Sequence, residues 1–358
     1  METIVAKIND EFSIEIPFRF GRYEFIRTIG NGAFSVVALV YDITTNAQYA
    51  CKISSRKFLI QQKLFDKFER EVRIMQSFQS PFLVQLYDIV YDQNLIYLIM
   101  EYCSNGELFQ AIADNGPVEE KRAKKIFAQI VSGVSYIHSH DISHRDIKPE
   151  NILLDSCMNA KITDFGLCQH TSENLLLKTY CGSPFYVSPE VLLNKPYDGK
   201  KSDIWSLGVV LFTIVTGGLP WEDIGQQKLY QQIAEANFTI PRYLPPDLRD
   251  LISRLMQLNP KDRPNVDEIL KHPWLADVVG ELATQPMNSG IETLSSNRGS
   301  QQFLRKNIIV RPKVQRDCGF ISSSFGAKFA PVQKLIRKVP TRRRHLSGRA
   351  NPTFKPVT

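Results

Sequence analysis

No apolar run in this 358-residue sequence approaches the roughly 20 residues a membrane-spanning helix requires; the most apolar stretch covers residues 207–215. Cysteine is scarce as well. Six are scattered at positions 51, 103, 157, 168, 181 and 318 without CxxC spacing, so neither a disulfide framework nor a zinc site is indicated. The absence of an internal repeat excludes solenoids and propellers. The opening METIVAKIND has two acidic residues and lacks the apolar core of a signal peptide. A reducing, cytoplasmic setting is the expectation, with nuclear and membrane-peripheral placement left open. What is present is ordinary for a globular chain. A hydrophobic share of 43% with 23% charged residues excludes collagen-like, mucin-like and wholly disordered proteins. The length allows about two structural units.

The net charge of +7 averages two unlike parts. Residues 276–358 hold 15 Lys and Arg against four acids, whereas the first 275 hold 29 against 33. The basic segment is rich in Ser, Gly, Asn, Gln and Pro and has no sustained periodicity, so it is expected to be mostly disordered. Within the acidic body, β-type runs come first, at residues 23–28, 36–41, 49–54, 84–90 and 95–100. One helix interrupts them, with Leu64, Phe68, Val72 and Met75 spaced by four, four and three. Helices then take over. Ala123, Ile126, Phe127, Ile130, Val134 and Ile137 mark one apolar stripe, and residues 201–216 are apolar nearly all round. Strands followed by helices predict an α+β body of two lobes with a cleft between them.

Three groups of residues carry chemistry. Gly30-Asn31-Gly32-Ala33-Phe34-Ser35-Val36-Val37 lies between two predicted strands, where glycines let backbone N–H groups approach phosphate oxygens. No helix follows, so it is not the dinucleotide-binding pattern. Lys52 sits in an otherwise apolar strand and needs a partner, for which Glu71 on the next helix is available. Alone, the first is equally consistent with a plain hairpin turn, and the second reads more readily as two solvated surface charges. The third decides the matter: His144-Arg145-Asp146-Ile147-Lys148-Pro149-Glu150-Asn151, followed by Asp164-Phe165-Gly166.

With these motifs in this order, the sequence resembles eukaryotic protein kinases over residues 23–275. The resemblance implies a bilobal α+β kinase fold: an N-lobe (23–102) with a five-stranded antiparallel sheet and one helix, and a mainly helical C-lobe (103–275). Residues 1–22 would be an N-terminal extension and 276–358 a basic tail. It implies ATP and Mg²⁺ as cofactors. Ile29, Gly30, Asn31, Gly32, Ala33, Phe34, Ser35 and Val37 would cover the nucleotide, and Ala50 and Leu153 would line its pocket. Lys52 would hold the α- and β-phosphates, steadied by Glu71. Met100 resembles the gatekeeper. Glu101 to Cys103 would form the hinge whose backbone binds adenine, and Glu107 would hold ribose or a basic substrate residue. Asp146 would orient the substrate hydroxyl and accept its proton, Lys148 would assist, and Asn151 and Asp164 would bind the metal. Hard oxygen donors suit Mg²⁺ and are poor for zinc. Asp203, Trp205 and Gly208 match the helix that anchors the catalytic loop, while Glu190 and Arg263 match a structural ion pair. His138, His140 and His272 read as structural or surface residues. Two departures stand out: Ser35 replaces the third glycine of the loop, and Ser188-Pro189-Glu190 replaces the usual APE.

Lys148 and Ser183 resemble the serine/threonine-specific pattern. The activation and C-terminal segments resemble the calcium/calmodulin-dependent group, in its AMP-activated-kinase-like branch. That likeness implies protein substrates with Ser or Thr, an upstream kinase acting on Thr179, and Arg145 as part of the phosphate's pocket. Glu107 and Glu150 would read basic residues before the target hydroxyl. In the tail, residues 328–346 mix apolar and basic side chains, which fits calmodulin or anionic lipid, but Pro331 and Pro340 limit any helix to about two turns, and a solvated basic tail with weak non-specific anion binding is the favoured reading. Ser347, three residues after Arg344, is a candidate autophosphorylation or pseudosubstrate site. No specific nucleic-acid partner is expected. The competing readings are a pseudokinase scaffold and a tail-driven membrane- or calmodulin-binding protein; the first is disfavoured because Lys52, Glu71, Asp146, Asn151 and Asp164 are all present.

Overall fold

The computed structural model describes residues 3–8, 12–32, 34–171, 176–222 and 225–282. Alternating sequence gives the N-lobe its strands: β1 (Thr3–Lys7), β2 (Ser13–Pro17), β3 (Arg19–Phe20), β4 (Tyr23–Asn31), β5 (Ser35–Asp42) and β6 (Ala47–Ser55). Helices α1 (Arg56–Gln61) and α2 (Phe65–Ser77) follow, then β7 (Leu86–Tyr91) and β8 (Leu95–Met100). The main sheet runs β3-β4-β5-β6-β8-β7, antiparallel at every pairing. It therefore has six strands rather than the expected five, because Arg19 and Phe20 add an edge strand from the segment expected to be an extension. Two helices also replace the expected one. The second has the expected face: Phe68, Val72 and Met75 are buried, and Glu71 lies between them on the same side.

The two faces of this sheet are buried against different partners. Val36, Ala38, Val40, Cys51, Ile53, Tyr97 and Ile99 point to one core, which also contains Ala6, Ile8, Ile14, Ile16 and Phe20. The alternate residues Leu98 and Met100 belong to the core shared with the C-lobe. The β1–β2 hairpin thus forms a third layer over the outer face, and Phe20 stacks on Tyr97 with centroids 4.1 Å apart. The chain packs continuously across residue 22.

The C-lobe is built on α3 (Leu108–Asn115), α4 (Glu120–Ser139) and α6 (Gly199–Thr216). Every residue of the predicted α4 stripe is at most 1% exposed. Helix α6 is buried nearly all round, starts where the Asp198 carboxylate accepts the Lys200 and Lys201 N–H groups, and ends at Gly217 in the left-handed region. At Gly208 a Cβ would lie 2.5 Å from Met256 Cγ, so only glycine lets α8 (Pro246–Leu255) come this close to α6. Short strands β9 (Ile142–Ser143), β10 (Ile152–Leu154), β11 (Ala160–Ile162) and β12 (Gln169–His170) frame the cleft floor. Helices α5 (Pro189–Leu192), α7 (Gln226–Ala234), α9 (Val266–Leu270) and α10 (Ala276–Leu282) complete the lobe. The last of these lies beyond the expected boundary at 275 yet packs on α4: Val278 is buried in the core, and Lys124 meets Asp277 at 3.0 Å. The calmodulin or lipid stretch at 328–346 and Ser347 lie outside the described residues. Among the described residues no helix is long and apolar enough to cross a membrane.

Candidate active site

The cleft floor is fixed by one buried aspartate. Asp203, 1% exposed near the start of α6, accepts the backbone N–H groups of His144 and Arg145, each at 2.8 Å, and lies 2.9 Å from His138 Nε2. Those contacts hold Arg145 at φ +68, a left-handed conformation that costs a non-glycine residue about 1–3 kcal/mol. The backbone reversal presents Asp146. Its Oδ1 accepts from Ser183 N (3.0 Å) and Oγ (3.1 Å), and its Oδ2 pairs with Lys148 Nζ at 2.8 Å. Lys148 Nζ also donates to Ser183 Oγ at 2.7 Å, so the activation segment is tied directly to the catalytic loop.

Asn151 donates its amide nitrogen to Asp146 O at 2.9 Å and Oδ2 at 3.0 Å. With Nδ2 committed, its amide oxygen is the group on offer to a cation. Asp164 also has left-handed backbone, φ +64, and its Oδ1 accepts from Gly166 N. Burial pushes its carboxyl up, but Lys52, His144, the Gly166 N–H and Lys148 together hold it below the ordinary aspartate value. Phe165 is 1% exposed, with its ring edge-on to Phe78 at 5.4 Å and His144 at 5.6 Å. Among the described residues no cluster of three or more His, Cys, Asp or Glu forms a metal cage. An amide oxygen and one ionised carboxylate fit a cation that takes its remaining ligands from phosphates and water, as Mg²⁺ does.

On the roof, Lys52 Nζ is 2.5 Å from Glu71 Oε1. Burial pulls the Lys52 ammonium down, but Glu71 and Asp164 more than offset it and keep it charged. Gly30 and Asn31 close β4 and pair with Val37 and Val36, while Ile29 sits at a bulge in that ladder. Gly32 donates to Ser35 O at 2.7 Å, and a Cβ on Gly32 would lie 2.7 Å from Ser35 Oγ. Ser35, the departure from the glycine pattern, is 3% exposed. Phe34 is half-buried; Ala33 lies outside the described residues. Ala50 pairs with Met100 across β6 and β8. Leu153 in β10 bridges Glu107.

Glu101 lies in the stretch between β8 and α3. Its N–H goes to Gln85 O at 2.9 Å and its carboxylate pairs with Lys161 Nζ at 2.9 Å, so only its carbonyl and the Cys103 backbone remain for a nucleotide. Arg145 donates to Leu167 O (2.7 Å) and Tyr197 Oη (3.4 Å), and Tyr197 Oη donates to Thr179 O at 3.0 Å. Thr179 itself is exposed. Reading the sequence overlooked Tyr197 and Lys161; neither lies in a motif, and only the fold brings them to the site. Arg263 forms a two-pronged pair with Glu190, at 2.7 and 2.8 Å, beneath Trp205, as the structural reading expected. His138 and His272 are buried and bonded and His140 is exposed, which also agrees with a structural reading.

Residues 23–275 match the family model described as the protein kinase domain. The chain belongs to the protein kinase family. The kinase is 42% identical over 257 residues to CBL-interacting serine/threonine-protein kinase 8 of Arabidopsis thaliana, covering 72% of this chain and 58% of that protein. It is 41% identical over 277 residues to the probable serine/threonine-protein kinase MARK-A of Dictyostelium discoideum, covering 77% and 26%. It is 36% identical over 285 residues to the carbon catabolite-derepressing protein kinase of Candida glabrata, covering 79% and 46%. The kinase therefore spans about half the length, or less, of these relatives. The first two are named as serine/threonine-protein kinases and the third as a protein kinase.

Proposed function

We propose that this chain transfers the γ-phosphoryl group of ATP to Ser or Thr hydroxyls of proteins. The observation that carries the reading is convergence: the Lys52–Glu71 ion pair stands over Asp146, Asn151 and Asp164, residues up to 112 positions apart in sequence. Phosphoryl transfer requires positioning and neutralisation of spread negative charge more than covalent chemistry. Lys52 supplies one fixed cation to the phosphates. Asp146, held by Ser183 and Lys148, orients the attacking hydroxyl and takes its proton. Lys148 remains beside it to offset the charge that develops on the oxygen. Asn151 and Asp164 would hold Mg²⁺, which when bound neutralises charge on the phosphates. Such orientation lowers barriers by about 7–11 kcal/mol.

Glu107 and Glu150 support basic residues upstream of the target. Burial raises both carboxyls and Lys148 opposes it at each, while Glu150 Oε2 is buried with no partner among the described residues. An arginine arriving there satisfies an oxygen that the protein leaves bare. Phosphorylation of Thr179 by an upstream kinase is part of the reading, since the Arg145–Tyr197–Thr179 chain links that segment to the catalytic loop. A regulatory protein partner also belongs to it, by likeness to relatives named CBL-interacting.

The test is transfer of radiolabel from ATP·Mg²⁺ to a basic Ser peptide, with wild type compared against Asp164→Asn. The variant should lose at least about 10²–10³-fold in rate. Equal labelling by both proteins, or none by a Thr179-phosphorylated wild type, defeats the proposal.

A further inference from the structure

The kinase family match begins at residue 23, yet the chain before it is folded against the part of the N-lobe that covers the cleft. Phe12 follows the turn of the β1–β2 hairpin, where its carbonyl accepts from Ile8 N at 2.9 Å. Its ring lies 4.6 Å from that of Phe58 on α1. Phe58, 5% exposed, is locked at the first turn of α1, where Ser55 Oγ accepts its N–H. Its ring in turn lies 6.2 Å from that of Phe34, at the turn of the glycine loop. Among the described residues, Phe34 is the one half-buried residue that packs against both the hairpin core and the core shared with the C-lobe. A second, parallel route exists. Val36, at the return of the loop, is fully buried in the same core as Ile14 and Ile16 of the hairpin.

A glycine hairpin has little side-chain packing of its own and gains little rigidity from its backbone. Here the rigidity comes from outside. We infer that Phe12 is a positioning residue: through Phe58 and Phe34 it sets the place of the Gly30–Val37 loop, so the N-terminal hairpin tunes how this kinase holds the phosphates of its nucleotide. The part that concerns nucleotide rests on the kinase reading above. The mechanical part, the packing of Phe12, Phe58 and Phe34, does not.

The experiment compares wild type, Phe12→Ala, Phe12→Tyr and a remote packing control, Val278→Ala. Hydrogen exchange of the Gly30–Val37 backbone is followed without nucleotide, ATP·Mg²⁺ affinity by calorimetry, and melting temperature alongside. Phe12→Ala should speed exchange in the loop and weaken nucleotide binding by roughly three- to ten-fold, the equivalent of one aromatic pair. In turnover the loss should appear in KM for ATP more than in kcat. Phe12→Tyr keeps the ring and should restore both readouts, while Val278→Ala should lower the melting temperature and leave both unchanged. Loop exchange and affinity in Phe12→Ala equal to wild type, with only the melting temperature lowered, overturns the inference. Wild type that binds no nucleotide, with loop exchange unaltered in Phe12→Ala, overturns this inference and the kinase reading together. Altered exchange in that circumstance leaves the loop coupling standing and defeats only the kinase reading.

Discussion

The two lobes hold their candidate catalytic groups by opposite physics. Below the cleft, Asp146 and Asn151 stand in a buried polar frame in which Asp203, Ser183, Lys148 and His138 exchange hydrogen bonds of 2.7–3.1 Å. Above it, the glycine loop and the strand of Lys52 are carried mainly by apolar layers, with the Lys52–Glu71 ion pair as the side-chain polar contact at the cleft. A polar frame is directional. Removing one partner leaves others buried and unsatisfied, and the strained backbone it fixes has nothing else to hold it. An apolar layer is not directional and weakens roughly in proportion to the surface lost. Damage below should therefore be abrupt, and damage above graded.

The largest effect is expected at Asp203. Asp203→Ala strands two buried N–H groups at about 1–3 kcal/mol each and frees Arg145 from φ +68. Misplacing Asp146 by as little as about 1 Å costs on the order of 10² in kcat. Steady-state kinetics and thermal melting should show both losses together. A variant that melts lower but turns over at the wild-type rate would show that the frame serves stability alone.

The upper lobe provides the contrast. Ile16 is fully buried under the sheet but makes no polar contact, and Ile16→Ala should cost about 2–5 kcal/mol in denaturant unfolding. Below the melting transition its kcat should stay within about threefold of wild type, because no catalytic group loses a directed partner. A kcat loss matching that of Asp203→Ala would erase the distinction between the lobes.

That contrast also explains what could be read in advance. The polar frame was visible as letters: His144–Asn151, Asp164–Gly166 and Asp203 occur at fixed spacing because directional chemistry tolerates few residue types. Helix α4 is visible as a periodic apolar stripe, and α6 as a run apolar nearly all round. The hairpin was not identified, although Ile14 and Ile16 alternate with Ser13 and Glu15 as a half-buried strand requires. A five-residue alternating run is too short to announce a partner, and the apolar surface it covers looks like any other core. The ion pair of the Glu101 carboxylate with Lys161 is not legible, since pairing across 60 positions leaves no local trace. Thr179 is legible as a candidate, but its link to Arg145 runs through Tyr197, which only the fold reveals.

A smaller effect separates the two kinds of support within a single loop. Gly32→Ala places a Cβ 2.7 Å from Ser35 Oγ, in a position where Ser35 is already buried. Overpacking of this kind costs about 1 kcal/mol at its mild end, or roughly fivefold in KM for ATP. The clash is with one atom, so Gly32→Ala/Ser35→Ala should recover most of the loss. Failure of the double variant to recover would place the constraint in the backbone rather than in the hydroxyl.

The smallest effect runs opposite in sign, because Glu150 Oε2, beside the polar frame, is buried without a hydrogen-bond partner among the described residues. Its carboxyl is raised above the ordinary value of 4.5, mainly by burial, with its own backbone N–H and Lys148 opposing. An acid with a raised folded pKa binds its proton more tightly folded than unfolded, so ionised Glu150 costs stability at neutral pH. Glu150→Gln should therefore raise the melting temperature at pH 7, by no more than about 2–4 °C. The gain should shrink as pH falls through the raised value and vanish below about 4.5, where wild-type Glu150 is protonated in both states. The same variant should lose discrimination between Arg and Ala upstream of the target serine, and wild type should lose it too on acidification. A variant that melts lower than wild type at pH 7 while keeping its preference for arginine would mean that this carboxylate serves the fold and not the substrate.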